Sequence, residues 1–274
     1  MAFAPLEESL EEGQPIYLYR FNLNDKVWRY TSADGNITRG ADTWLAIPIG
    51  DDGPRQTGEA TSDALQITTS TASCVPAQLY MQYPPATPVQ LAVYITHEAD
   101  NEVKAIYVGE ITNCNVPQPG TAVLMCETFA ATMRREGLRL GWQRNCPYAL
   151  YDPVTCKVPK ATWGITGTVS AVVDNVVTLP ALAGVVADGR MRGGFVEWID
   201  PVRGVERRGI EDQVGTAMLM FGAADGITAG LAVTAYPGCS RNVAGCQSFN
   251  NYDNYGGVPA LKGKSPFDGD PVFN

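Results

Sequence analysis

Short runs in which apolar and polar residues alternate follow one another along most of the chain. "PIYLYRFN" (15–22), "KVWRYTSADGN" (26–36, ending in a turn at Asp34-Gly35) and "TWLAIPI" (43–49) each read as a strand. "ALQITTSTA" (64–72), "VQLAVYITH" (89–97), "VKAIYVGEITN" (103–113) and "TAVLMCETFA" (121–130) continue the series. A period of two places alternate side chains on one face, and the aromatic and β-branched content suits a pleated, half-buried surface.

The pattern breaks over 131–164, "ATMRREGLRLGWQRNCPYALYDPVTCKVPKATWG", which reads as a crossover with a short helix. The domain boundary is placed there, giving units 1–140 and 141–274. A second β series then begins. "TGTVSAVVDNVVTL" (166–179) reads as a hairpin turning at Asp174-Asn175. Residues 193–221 read as a three-strand meander with turns at Asp200–Gly204 and near Gln213–Gly215, and "GLAVTAYPGC" (230–239) closes the series. The expected fold is mainly β: a barrel or sandwich, then a small C-terminal barrel.

Composition changes this picture little. With 28 glycines and 19 prolines, turns are plentiful, and a hydrophobic fraction of 45% is ordinary for a folded chain. Charge matters more. The net charge of −9 argues against general nucleic-acid binding, and the local basic stretch "RREGLRLGWQR" (134–144) reads as solvated surface. The acidic lead-in, residues 1–14, lacks the apolar segment of a secretory signal, and no run is long and apolar enough to span a membrane. The expectation is therefore a protein made and folded in a reducing cytoplasm.

That expectation bears on the seven cysteines at 74, 114, 126, 146, 156, 239 and 246. In such a compartment grouped cysteines more often bind metal or catalyse than form disulfides. Cys74 and Cys114, at or just past strand ends, and Cys126, inside a strand, read as buried small apolar residues. The other four form two pairs, Cys146/Cys156 just before the second β series and Cys239/Cys246 just after it. A small barrel that returns its ends to one place would bring the four sulfurs together. Four thiolates suit zinc or an iron–sulfur cluster. Neither pair has the tight spacing of a zinc knuckle, so spacing alone leaves cluster, zinc and unligated thiols open. Gly238 and Gly245, just before Cys239 and Cys246, would let backbone N–H groups approach a sulfur.

"CPYALYDPVTCKV" (146–158) together with "GCSRNVAGCQSFNNYDNYGGVPA" (238–260) resembles the pattern of the BR0599/DUF2163-like proteins of siphophages and gene transfer agents, relatives of the lambda-like minor tail protein L. The matching positions are Cys146, Pro147, Leu150, Tyr151 and Cys156, then Gly238, Cys239, Cys246, Phe249, Asn250 or Asn251, Asn254, Tyr255, Gly256, Gly257 and Pro259. The likeness runs over about 90–260, and the first 80 residues share only β character. The resemblance implies a structural, non-enzymatic virion protein of the tail tip, assembled in the host cytoplasm. It would be a baseplate hub joining the distal tail protein to the central tip or fibre protein. It implies a ring, commonly of three copies, similar to a tail-tube barrel; the net charge of −9 would suit a lumen through which DNA passes without sticking, since like charges repel. It also implies a [4Fe-4S] cluster on Cys146, Cys156, Cys239 and Cys246 that clamps the C-terminal barrel, with zinc as second choice. The Asn, Tyr and Gly residues after Cys246 would wrap that site, Gly256-Gly257 supplying a turn forbidden to other residues.

Two rival readings are kept: a zinc-stabilised distal tail ring protein and a tail-associated cell-wall hydrolase. The hydrolase lacks a visible machinery. The single histidine, His97, reads as a surface turn residue. No G-x-S-x-G, Walker A or dinucleotide fingerprint is present, and the Gly-rich "GDDGPRQTGEA" (50–60) reads as a loop. Glu206, Glu211 and Asp212 read as a solvated face.

Overall fold

Most of the alternating runs fold as strands in the computed structural model, which describes residues 15–54, 64–97, 102–130 and 141–261, but "TWLAIPI" (43–49), expected as one strand, breaks at residues 47 and 48. The lead-in 1–14, most of the basic stretch and much of the Gly-rich loop lie outside them. The chain divides into two units, Met1–Arg135 with Asp200–Glu206, and Glu136–Ile199 with Arg207–Asn274.

In the first unit β1 (Pro15–Leu23), β2 (Lys26–Thr31), β3 (Ile37–Arg39), β4 (Asp42–Ala46), β5 (Ile49–Asp51), β6 (Leu65–Ser70), β7 (Gln90–His97), β8 (Lys104–Gln118) and β9 (Thr121–Thr128) join one sheet. Its order is β3-β4-β2-β1-β7-β8-β9-β6-β5. Laid flat, β4 and β5 would stand roughly 34 Å apart at about 4.8 Å per strand. Only residues 47 and 48 separate them in sequence, a reach of at most about 11 Å. The sheet must therefore roll, and this dipeptide makes the corner. Ile47 N donates to Thr31 O (3.2 Å), and Pro48 O accepts from Ser70 N (3.2 Å) on the other side.

The rolled sheet encloses Tyr19, Phe21, Leu23, Leu65, Ile67, Leu91, Val93, Ile111 and Leu124. A helix that the pattern did not predict, α1 (Val75–Gln82), packs Ala77, Leu79 and Tyr80 into this core. It starts at Cys74 without a side-chain cap, so no Ser, Thr, Asp or Asn marks its beginning. The Tyr80 hydroxyl donates to Ile111 O (2.8 Å) and accepts from Val89 N (3.2 Å). Phe21 has no solvent exposure. Phe21→Ala is expected to destabilise this unit by about 3–5 kcal/mol, read as a fall in its denaturant midpoint.

The second unit repeats the device. Its sheet is built from β10 (Ile165–Thr168), β11 (Ala171–Val173), β12 (Val176–Thr178), β13 (Phe195–Asp200), β14 (Gly204–Val214), β15 (Ala217–Met220) and β16 (Ala232–Tyr236), of which residues 200 and 204–206 are counted with the first unit. In the order β10-β16-β13-β14-β15-β12-β11, the two edges are strands joined by residues 169 and 170 alone. Flat, those edges would be roughly 29 Å apart. Val169 instead exchanges hydrogen bonds with the segment before β16 (to Leu231 O, 2.9 Å; from Gly230 N, 2.8 Å), while Ser170 N donates to Thr178 O in β12 (2.9 Å). The hairpin turns at Asp174-Asn175 as expected, Asp174 taking a left-handed φ of 53°. Leu179, Leu182, Met191, Val196, Trp198, Met218 and Met220 fill the interior. Both units are thus mainly β, with the sheet of each rolled on itself.

Candidate metal centre

Four chain segments meet beside the second sheet. Cys146 precedes a loop that carries Cys156. Cys239 follows β16, and Cys246 lies in the short helix α3 (Val243–Gln247). The 146–156 loop is turned by its own polar groups. Tyr151 and Lys157 are left-handed (φ 66° and 60°). The Asp152 carboxylate accepts from Thr155 N (2.7 Å) and from the Thr155 hydroxyl, and Lys157 N donates to Asp152 O (2.7 Å). The Thr155 bonds hold the Asp152 carboxyl below its ordinary range. The helix α3 is capped by Asn242, whose Oδ1 accepts from Gly245 N (2.7 Å).

Long-range bonds then tie the segments together. Cys146 N donates to Arg241 O (2.7 Å), and the Tyr151 hydroxyl to Pro237 O (2.8 Å). Asn251 Nδ2 donates to Cys156 O (2.5 Å), and the Tyr255 hydroxyl to Arg144 O (2.6 Å). An aromatic wall backs the site. Tyr151 makes edge contacts with Phe195, Tyr236 and Phe249, and Trp163, from the short helix α2 (Lys160–Trp163), packs on Phe249.

The result is one cavity of about 60 Å³ lined by all four sulfur-bearing residues, with Tyr148, Leu150, Arg241 and Asn254 among their neighbours. All four cysteines are free thiols. Burial, and then the sulfurs of Cys146, Cys239 and Cys156, push the Cys246 thiol up. Among the described residues neither imidazole nor carboxylate lines the cavity, so its cysteine donors are soft throughout, a set that suits an iron–sulfur group and that a four-thiolate zinc site also uses. Among the described residues no three His, Cys, Asp or Glu side chains are gathered as ligands of a single ion.

Several expectations are corrected here. Gly238 and Gly245 do not serve to bring an N–H onto sulfur. Among the described residues the backbone donor that reaches one is Arg241 N, 3.4 Å from Cys239 Sγ. A Cβ on Gly238 would lie 2.0 Å from Arg192 O, and one on Gly194 2.0 Å from Tyr236 O, so glycine is needed where two backbones cross. Gly256 and Gly257 are not left-handed. Their missing Cβ atoms make room for the Tyr148 ring and for Arg144 O. His97 is 2% exposed rather than a surface residue, and its carbonyl accepts from Arg39 Nη2 (3.2 Å). Glu206, expected in solvent, has no exposure, and its Oε1 accepts from Ala86 N (3.1 Å) within the first unit. Lone polar residues default to the surface when only local sequence is read, whereas burial is decided by distant partners. Cys74 and Cys126 are buried, but Cys114 lies inside β8 rather than at a strand end and is partly exposed.

Sequence reasoning also passed over Lys160 and Glu197. Lys160 Nζ lies 4.6 Å from the Tyr236 ring centre and 2.6 Å from Glu197 Oε2, to which Arg207 Nε also donates (2.7 Å). Burial raises the Glu197 pKa, but Lys160 and Arg207 together outweigh it and hold the carboxyl below its ordinary value. The charged form therefore stabilises the fold above the unfolded pKa of about 4.3, and that contribution is lost as pH falls through the lower folded value. Glu197→Gln is expected to flatten the acid side of the second unit's melting temperature against pH. An unchanged acid limb would contradict this.

A mainly β chain of two rolled sheets, one beside a four-cysteine cavity, is what the geometry defines. Residues 189–265 match the family described as Phage conserved hypothetical protein BR0599. The resemblance drawn from the cysteine pattern is borne out over this segment, which includes Cys239 and Cys246. Among solved structures the chain is similar to one from "Virion of native gene transfer agent (GTA) particle", at 17% identity and a TM-score of 0.75, covering 99% of this chain and 95% of that one. No curated protein matches. Among the described residues no helix is long and apolar enough to cross a membrane.

Proposed function

We propose that the chain is a structural protein of a phage-type virion, acting at the tail tip as a baseplate hub between the distal tail ring and the central tip or fibre protein. The observation that carries this is the likeness in fold over nearly the whole of both chains to a component of a gene transfer agent virion, together with the segment that matches the BR0599 family. In this reading three copies form a ring, assembled in the host cytoplasm, and DNA passes through its lumen.

The second unit would hold a structural [4Fe-4S] cluster on Cys146, Cys156, Cys239 and Cys246. The four cysteines line a cavity of about 60 Å³, several times the about 10–15 Å³ that one water needs. That favours a group of several atoms over a lone zinc ion. When bound, such a cluster supplies four metal–sulfur bonds that join segments distant in sequence.

Gold labelling of a tagged copy in purified particles tests the placement. Label is expected at the tail end distal to the capsid. Label on the capsid, or none on assembled particles, would contradict the hub.

A further inference from the structure

We propose that Asn251, oriented by Asn254, is a positioning residue for the cluster, its side-chain amide donating to the coordinating sulfur of Cys156. This rests on the iron–sulfur reading above. The sequence leaves two adjacent asparagines as equivalent candidates, and the structure separates them. Asn250 is exposed and left-handed (φ 51°). Asn251 instead touches two of the four cysteine segments. Its N–H donates to Cys246 O (3.2 Å), its carbonyl accepts from Cys246 Sγ (3.0 Å), and its Nδ2 donates to Cys156 O (2.5 Å). The same Nδ2 lies 3.9 Å from Cys156 Sγ.

The amide cannot turn over freely. Asn254 Nδ2 donates to Asn251 Oδ1 (2.7 Å), and reversing the group would bring Oδ1 against Cys156 O. One Nδ2 hydrogen therefore serves the Cys156 carbonyl and the second is left for the sulfur. Once Cys156 is a thiolate, that contact strengthens, because a charged acceptor attracts the donor more than a thiol does. A donor on a coordinating sulfur withdraws charge from it. It favours the reduced, more negative cluster and slows loss of the ligand. Arg241 N plays the same part at Cys239 but belongs to the backbone; Asn251 is the donor that substitution can remove.

The test uses the full chain purified without oxygen. Asn251→Leu keeps the volume and removes the donor. Its reduction midpoint is expected to fall below that of the wild type, and iron to pass to a chelator about tenfold faster or more. Asn254→Ala, which removes the bond that orients the amide, is expected to shift the midpoint in the same direction by less. Asn250→Gly, which suits the left-handed backbone, is expected to shift neither. Iron-loaded Asn251→Leu and Asn254→Ala with wild-type midpoint and chelation rate would overturn the assignment while leaving the cluster in place. A wild type that binds no iron would remove the cluster reading, and this inference with it.

Discussion

Cys156→Ser is expected to bind no intact cluster and to leave the second unit weakly folded, while the first unit unfolds as in the wild type. The cluster would join the 146–156 loop to the 239–246 segment. Closing a loop of about eighty residues stabilises by roughly 4–5 kcal/mol on loop entropy alone, and metal binding coupled to folding adds to it. Serine leaves a hard oxygen where a soft sulfur stood, so the loss is in ligation rather than in packing. The three cysteines of the first unit supply the contrast. Burial pushes the Cys74 thiol up to about 11 and the Cys126 thiol higher still, which keeps both as protonated, apolar groups. Cys114→Ser, at a partly exposed strand position, is expected to keep both colour and stability. Two-phase thermal unfolding followed by iron content checks both outcomes. A Cys156→Ser protein with full iron and an unchanged second transition would contradict the ligand set.

Gly238→Ala has the next largest effect. The new Cβ would meet Arg192 O at 2.0 Å, Gly193 C at 2.5 Å and Gly194 N at 2.5 Å. These are backbone atoms, so no side chain can swing aside, and the crossing segments must part. The cost is expected to be about 3 kcal/mol or more. Cys239 is the next residue, so the same displacement moves a ligand, and iron content falls with stability. Gly194→Ala enters the crossing from the other side and is expected to match it. Gly245→Ala meets the Ser240 hydroxyl at 2.3 Å, the end of a side chain that can rotate, and is expected to cost much less. Equal stability and iron content in Gly238→Ala and wild type would show that the crossing does not hold the site.

The strands were legible because their signal is local. Alternation in "PIYLYRFN" and the Asp174-Asn175 turn are written in neighbouring residues, and both appear where the pattern puts them. Helix α1 was not, since Cys74-Val75-Pro76 offers no capping side chain and its place is fixed by the core it fills. Corner closure at 47–48 and 169–170 was equally hidden. It follows from strand order, which no local pattern states. The two cysteine pairs could be picked out by position relative to the β series. Their meeting around one cavity depends on bonds between residues some 90 positions apart, such as Asn251 to Cys156. The glycines beside the cysteines show the same limit. The sequence marks them as special positions, but only the crossing at Gly194 and Gly238 shows that what matters is the absence of a Cβ.

The most direct test of the account is a visible absorption spectrum with iron and sulfide assays on anaerobically purified protein, wild type beside Cys239→Ser. The account predicts a brown wild type with about four irons per chain and a colourless variant. A colourless, iron-free wild type from the same preparation would contradict it.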